Sequence, residues 1–293
     1  MLKTETPNEA HANLDEYATH ELVNAFVDDQ MNAVNAVRGA SEQLAHAVDA
    51  AVPRLVAGGR LIYVGAGTSG RLGLLDSVEL YPTFSWPPER AVALLAGGRD
   101  AVFRAIEGAE DNRDQGAEDL KAASVHANDV VIVLAASGTT PYALGAMAAA
   151  RAAGALTIGI ANNSHTPVTQ EAEIGVTIDT GSEVISGSTR LKAGTSQKIA
   201  LNTFSSAVMV RMNKVYGNLM VDLKATNAKL KRRAVNLTML TTNCDEPTAR
   251  AALDASDFHV KVAIVAIMKT VDTAHAKALL ERTDGSVRKA ISA

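Results

Sequence analysis

Two rhythms of hydrophobic positions run along this chain of 293 residues. Short runs that are apolar at nearly every position, and rich in β-branched residues, recur at Leu61–Val64, Ala91–Leu95, Val130–Leu134, Leu156–Ile160 and Ile174–Ile178. Between most of them lie stretches of helical composition, such as Pro141–Ala153. Strands without a polar face must be covered on both sides, so the alternation predicts an α/β fold with a parallel sheet between layers of helices. In such sheets ligands bind beyond the carboxyl ends of the strands, which is where chemistry is to be sought.

The flanking segments follow a helical period. Residues 1–12 read as an irregular arm and residues 13–38 as mostly helical. Ser41 is expected to cap a helix whose Leu44, Val48, Val52, Leu55 and Val56 share one face. Pro53 interrupts or kinks that helix, and Gly58 and Gly59 end it. After the fifth run come long helical stretches at Thr189–Met212 and from Thr226 to Leu237. Beyond about Thr241 the composition changes. Residues 246–292 read as three short helices, with Val260, Ala263, Ile264 and Ile267 on one apolar face, a small module without chemistry of its own.

Composition narrows the classes of function. Apolar residues make up 47% of the chain and its net charge is -4, so no basic surface for nucleic acid or an anionic membrane is implied. One cysteine, Cys244, excludes an intramolecular disulfide and a cysteine-based zinc cluster. The seven histidines show no metal-ligand spacing. The polar, acidic N-terminus is unlike a signal peptide, and no apolar run reaches the ~18 residues of a membrane span, so a cytoplasmic location is expected.

Two loops at strand ends carry the strongest chemical signal. Gly65-Ala66-Gly67-Thr68-Ser69-Gly70 matches the G-x-G-x-x-G dinucleotide pattern in letters. A dinucleotide site also needs an acidic residue at the end of the second strand, and that strand ends in Ala96-Gly97-Gly98. A turn entering a helix with Thr68 and Ser69 suits a phosphate monoester instead, since free N–H groups and hydroxyls both donate. The third strand ends in a similar loop, Ser137-Gly138-Thr139-Thr140-Pro141. A third element, Gly181–Thr195, gathers hydroxyls and glycines with Glu183, Ser188, Arg190 and Lys192 at a helix start. It suits an anion or a sugar, although its two cations read equally well as solvated surface charges.

At these residues the chain resembles a known family. GAGTSGRLG, AASGTTP and SEVISGSTRLKAGTSQK are similar to signature segments of the N-acetylmuramic acid 6-phosphate etherases. TETPNEAHANLDEYAT, AIEGAEDN and KVYGNLMVDLKATNAKL extend the likeness over nearly the whole chain. The resemblance implies a sugar-isomerase (SIS) domain with a five-stranded parallel sheet, here residues 56–219. It leaves residues 1–55 as arm and helices, 220–240 as a connecting helix and 241–293 as a small UBA-like module. It further implies a homodimer, no metal or organic cofactor, and cleavage of a lactyl ether to N-acetylglucosamine 6-phosphate and D-lactate in cell-wall sugar recycling. Gly67, Thr68, Ser69, Ser137, Gly138, Thr139, Thr140, Glu183, Ser188 and Lys192 would then bind the phosphorylated amino sugar. Two departures are visible. The family often has Ser-Glu-Cys-Pro-Pro where this chain has Val78-Glu79-Leu80-Tyr81-Pro82, and commonly has Arg at the position of Thr139.

The resemblance assigns Glu79 as the acid that protonates departing lactate and Glu110 as the second catalytic carboxylate, a candidate base. Spacing alone does not choose among Glu107, Glu110 and Asp111. An acid working near neutral pH needs burial or a neighbouring negative charge to raise its pKa, and that is expected for Glu79. His165 and Trp86 stand near strand ends, but a sugar contact is not required of either. Rival functions on the same fold are an aldose–ketose isomerase, a sugar-phosphate-binding regulator and a DNA-binding sensor. A pure sensor has no need of the paired glutamates, and neither terminus offers a basic helix-turn-helix.

Overall fold

The computed structural model describes every residue except Met1, Lys224 and Thr226. The chain divides into two compact units, one of residues 1–78 with 89–205 and the other of 79–88 with 206–293. The boundaries fall inside two of the helices, so the units do not coincide with a simple cut of the chain.

The first unit begins with three short 3-10 turns and two helices, α1 (Thr19–Gly39) and α2 (Ser41–Val56). Strand β1 (Leu61–Gly65) leads into α3 (Gly67–Phe84), and β2 (Ala91–Leu95) is followed by 3-10 turns and α4 (Arg113–Ala122). Then come β3 (Val130–Leu134), α5 (Pro141–Ala152), β4 (Leu156–Ala161), α6 (Pro167–Glu171), β5 (Ile174–Thr177) and α7 (Lys192–Arg211). All strands pair in parallel, in the order β2-β1-β3-β4-β5. β1, β3 and β4 are buried along their whole length, as their nearly continuous apolar runs require, and the one polar side chain of β4, Thr157, accepts from the Glu173 N–H.

Alternation along the strands assigns the faces. Ile62, Val64, Val131 and Val133 pack with Tyr142, Ala143, Ala146 and Met147 of α5 in one core cluster. Tyr63 and Leu134 point the other way, where a Cβ on Gly73 of α3 would meet the Tyr63 Cβ at 2.9 Å. Helices therefore cover both faces. The strand starts are tied by Asp129, fully buried, which accepts from the backbone N–H, Nε and Nη2 of Arg60.

Three local expectations are corrected. Ser41 is the first residue of α2 rather than its cap, because Ala40 alone separates two nearly continuous helices. Pro53 sits inside α2 without ending it. Val56 turns outward, since the helix is closing toward Gly58.

The second unit contains α8 (Ala228–Thr242), α9 (Glu246–Ala255), α10 (Val260–Lys269), α11 (Thr273–Arg282) and α12 (Val287–Ser292). The helix expected from Thr226 starts at Ala228, Thr226 itself lying outside the described residues. Four short helices, rather than three, occupy residues 246–292, because Ser286 caps a last six-residue turn. Asn227, Asp245, Asp272 and Ser286 each accept from the N–H three residues on, the geometry of an N-cap. α10 is the hub against which α8, α9, α11 and α12 pack, with Val260, Ala263 and Ile264 buried and Ile267 half-buried. Ala234 and Val235 of α8 belong to this core. No helix among the described residues is long and apolar enough to cross a membrane.

Candidate functional site

β1 and β3 are neighbours in the sheet although β2 lies between them in sequence, so the strand order reverses there. Such a switch point opens a crevice between the two outgoing loops. In the first unit that crevice is a cavity of about 450 Å³. Gly67, Thr68 and Ser69 line it from the loop after β1, and Ser137 and Thr140 from the loop after β3. Gly187, Ser188, Thr189 and Arg190 line it from the segment before α7. Two carboxylates, Glu5 and Glu110, complete the wall.

The local backbone explains why these loops suit an anion. α3 begins at Gly67 and α5 at Pro141, so both present first-turn N–H groups without intrahelical acceptors at the ends of adjacent strands. Gly70 lets α3 start that close to the strand, because a Cβ there would stand 2.5 Å from the Gly65 carbonyl oxygen and 2.3 Å from Leu95 Cδ1. Gly138 has φ +77° and sits against Thr166, where a Cβ would meet Thr166 Oγ1 at 2.1 Å. Its role is to turn the loop. Thr139 is exposed and donates from both its backbone N–H and its Oγ1 to Ser137 Oγ, each at 3.2 Å. Ser137 Oγ accepts twice from within the loop, which leaves its own proton to donate elsewhere.

Glu110 stands on a 3-10 turn, Ala109–Asp111, introduced by Gly108 at φ 71°. It lines this cavity and also an adjoining one of about 660 Å³, whereas Glu107 and Asp111 line only the latter. The structure thus separates three carboxylates that spacing left equivalent. Glu79 is exposed on α3 and belongs to the segment grouped with the second unit, so the burial expected for it is not present in the chain alone. Leu75 and Tyr81, read as its apolar cover, are exposed as well, while Leu80 turns inward. Trp86 is buried and His165 exposed.

Glu183 and Lys192 are turned away from solvent and held by protein groups. Glu183, 0% exposed, accepts from the backbone N–H of Lys192 at 3.1 Å and of Ala193 at 2.9 Å, capping α7. Burial is the largest influence on its carboxyl and holds it above the usual range, against those two bonds and the nearby Lys192 charge. Lys192, 3% exposed, pairs with Asp29 of α1 at 2.7 Å and donates to the Ser182 carbonyl. Both residues fix the segment that carries Ser188 to the cavity. A second buried carboxylate, Asp76 of α3, accepts from Tyr63, Asn202 and Ser205. Burial raises it above the ordinary value, those hydrogen bonds opposing.

Sequence reasoning missed Glu5, Asn163 and Asp29. Asn163 Nδ2 donates to the Ala136 and Ser137 carbonyls, which braces the loop after β3. Its only sequence signal was its place at the end of β4.

The chain is similar to known proteins along nearly its whole length. Residues 43–151 match the family described as "Glucokinase regulatory protein N-terminal SIS domain", and residues 113–207 match "SIS domain". An N-acetylmuramic acid 6-phosphate etherase of Deinococcus radiodurans is 54% identical, the match covering 99% of this chain and 95% of that one. Those of Klebsiella aerogenes and Mycolicibacterium smegmatis are 45% and 46% identical, covering 99% and 100% of this chain and 97% and 98% of theirs.

Proposed function

Because the chain belongs to the N-acetylmuramic acid 6-phosphate etherase family, we propose that it cleaves the D-lactyl ether of N-acetylmuramate 6-phosphate in the cavity beyond β1 and β3. The observation that carries this reading is the meeting of two hydroxyl-rich helix starts with Glu110 in that one cavity. The helix starts supply donors for a phosphate, and the carboxylate supplies a base.

An alkoxide is a poor leaving group, so direct hydrolysis of the ether is slow. Elimination followed by addition avoids that barrier. The sugar opens to its aldehyde, which acidifies the proton on C2. Glu110 takes that proton, and electrons move to form the C2–C3 double bond as the C3–O bond breaks. Glu79 protonates the departing lactate oxygen. Water then adds at C3, its proton returning to Glu79, and C2 is reprotonated to give N-acetylglucosamine 6-phosphate. The substrate's own carbonyl is the electron sink, so the scheme calls for no metal or organic cofactor. Acid and base steps of this kind each contribute ~10²- to 10⁴-fold.

The reading includes a cytoplasmic homodimer acting in recycling of cell-wall amino sugar. Support for the dimer comes from α1, where Val23, Val27, Met31 and Val34 form an exposed apolar stripe at helical spacing. Leu75 and Val78 are exposed on α3 in the same way. A partner subunit over α3 would bury Glu79 and give the acid the raised pKa its role requires. Replacing Val27 and Met31 with Glu is expected to yield monomer in sedimentation velocity. A variant that still sediments as the wild type removes α1 from the interface.

Lactate release by the purified protein tests the function, with unphosphorylated N-acetylmuramate as control. Release from the phosphorylated sugar alone establishes both the reaction and the phosphate requirement. No release, with the sugar phosphate still raising the melting temperature, would point to a binding protein. Ser137→Ala is expected to raise KM for the phosphorylated sugar ~10- to 100-fold, the worth of one hydrogen bond to a charged group. An unchanged KM would remove that hydroxyl from the phosphate site.

A further inference from the structure

The N-terminal arm, residues 1–12, has no place in the mechanism above, yet its Glu5 forms part of the cavity wall. Its position is built rather than incidental. Thr4, next to it, is 0% exposed. Its backbone N–H donates to Asn163 Oδ1 at 3.3 Å, and Asn163 Nδ2 donates back to Thr4 Oγ1 at 2.9 Å. The same Asn163 amide donates to the Ala136 carbonyl at 3.1 Å, so one side chain holds both the arm and the loop bearing Ser137. On the other side the Gly187 N–H donates to the Thr4 carbonyl at 3.3 Å, and the Asn8 N–H to Ser186 Oγ at 3.2 Å. The Glu5 carboxylate lies over Gly187, its Oε2 3.3 Å from where a Cβ on that glycine would stand.

We propose that Glu5 is a specificity-determining residue that accepts hydrogen bonds from the sugar hydroxyls or the acetamido N–H of the bound amino-sugar phosphate. The inference rests on the sugar-phosphate reading of this cavity. Chemistry selects the contact. A carboxylate set beside a phosphate dianion meets like-charge repulsion, so its partners must be the uncharged donors of the ligand. Sugars offer such donors, and an ionised carboxylate only accepts. The arm's backbone is already held through the buried Thr4, so binding has to order only the exposed Glu5 side chain and not the segment that carries it. Glu110 is thereby left to its proton transfer.

The test is direct binding of N-acetylglucosamine 6-phosphate and of inorganic phosphate, by titration calorimetry, to the wild-type chain, Glu5→Gln and Glu5→Ala. Glu5→Ala is expected to weaken the sugar phosphate by ~10- to 100-fold, the loss of one charge-assisted hydrogen bond. Its affinity for inorganic phosphate should stay level or rise slightly. Glu5→Gln, which retains an accepting oxygen without the charge, should fall between. Equal sugar-phosphate affinity in wild type and Glu5→Ala overturns the proposal. An equal loss for both ligands also overturns it, since Glu5 would then act through the loops. Because binding of the product is read without turnover, the result stands apart from whether the wild type releases lactate.

Discussion

The Glu79→Ala protein should still exchange the C2 proton of N-acetylmuramate 6-phosphate for solvent deuterium while its lactate release falls by ~10²-fold or more. The two readouts divide because proton abstraction precedes departure of the lactate oxygen. Without an acid, the alkoxide must leave unprotonated, and the carbanion returns to substrate more often than it eliminates. Glu110→Gln should lose both exchange and release together, since no later step can proceed without the base. Loss of both in a folded Glu79→Ala protein would show that Glu79 takes the proton, and the two roles would have to be exchanged. Exchange is read by mass or proton resonance and release by coupled lactate oxidation, so each variant is placed on two axes. Substrate affinity provides the control, because neither glutamate is asked to hold the phosphate.

The sheet was legible because burial on both faces leaves β1 and β3 apolar throughout and β4 with Thr157 as its one polar residue, a pattern without the polar face of an amphipathic helix. The candidate site was legible in part: glycine and hydroxyl residues follow both β1 and β3, but each loop alone reads as an ordinary capped turn, and only the strand order brings the two to one cavity. What escaped notice depends on contacts distant in sequence. Glu5 sits in a polar arm, and only the fold brings Thr4 against Asn163. Lys192 reads from sequence as either an anion ligand or a solvated surface charge, and nothing nearby in the chain announces Asp29 of α1 as its partner. The burial expected of Glu79 differs in the opposite sense. Its neighbours Leu75 and Tyr81 are apolar, but in the chain alone they face outward. Apolar spacing cannot distinguish a side chain covered by its own fold from one awaiting a second subunit.

The buried charges around Lys192 carry the second large expected effect. One ammonium faces two carboxylates, Asp29 through a direct pair and Glu183 through a favourable charge interaction, beside the N-terminus of α7. Removing one member of a buried pair costs about 3–5 kcal/mol, because the other is left desolvated without its counter-charge. The two truncations should differ. Asp29→Ala leaves Lys192 with the Glu183 charge nearby, so its cost is expected at the lower end of that range. Lys192→Met leaves two carboxylates without their cation, so it should cost more. Their dependence on pH follows from the sign of the Glu183 shift. A carboxyl whose folded pKa lies above its unfolded one binds protons more tightly when folded, so lowering the pH through that range favours the folded state. Lys192→Met raises the Glu183 pKa further by removing a stabilising positive charge. Its stability deficit should therefore shrink as the pH falls from 7 toward 5, whereas that of Asp29→Ala should not. Urea unfolding at the two pH values measures both. The double variant Asp29→Leu with Lys192→Met keeps the volume, and should recover part of the loss seen in Lys192→Met alone. Deficits of equal size in the two single variants, insensitive to pH, would mean that Glu183 is not electrostatically joined to the pair. Since α7 and the segment bearing Ser188 are fixed by these same groups, the folded fraction of Lys192→Met should also show a raised KM for the phosphorylated sugar.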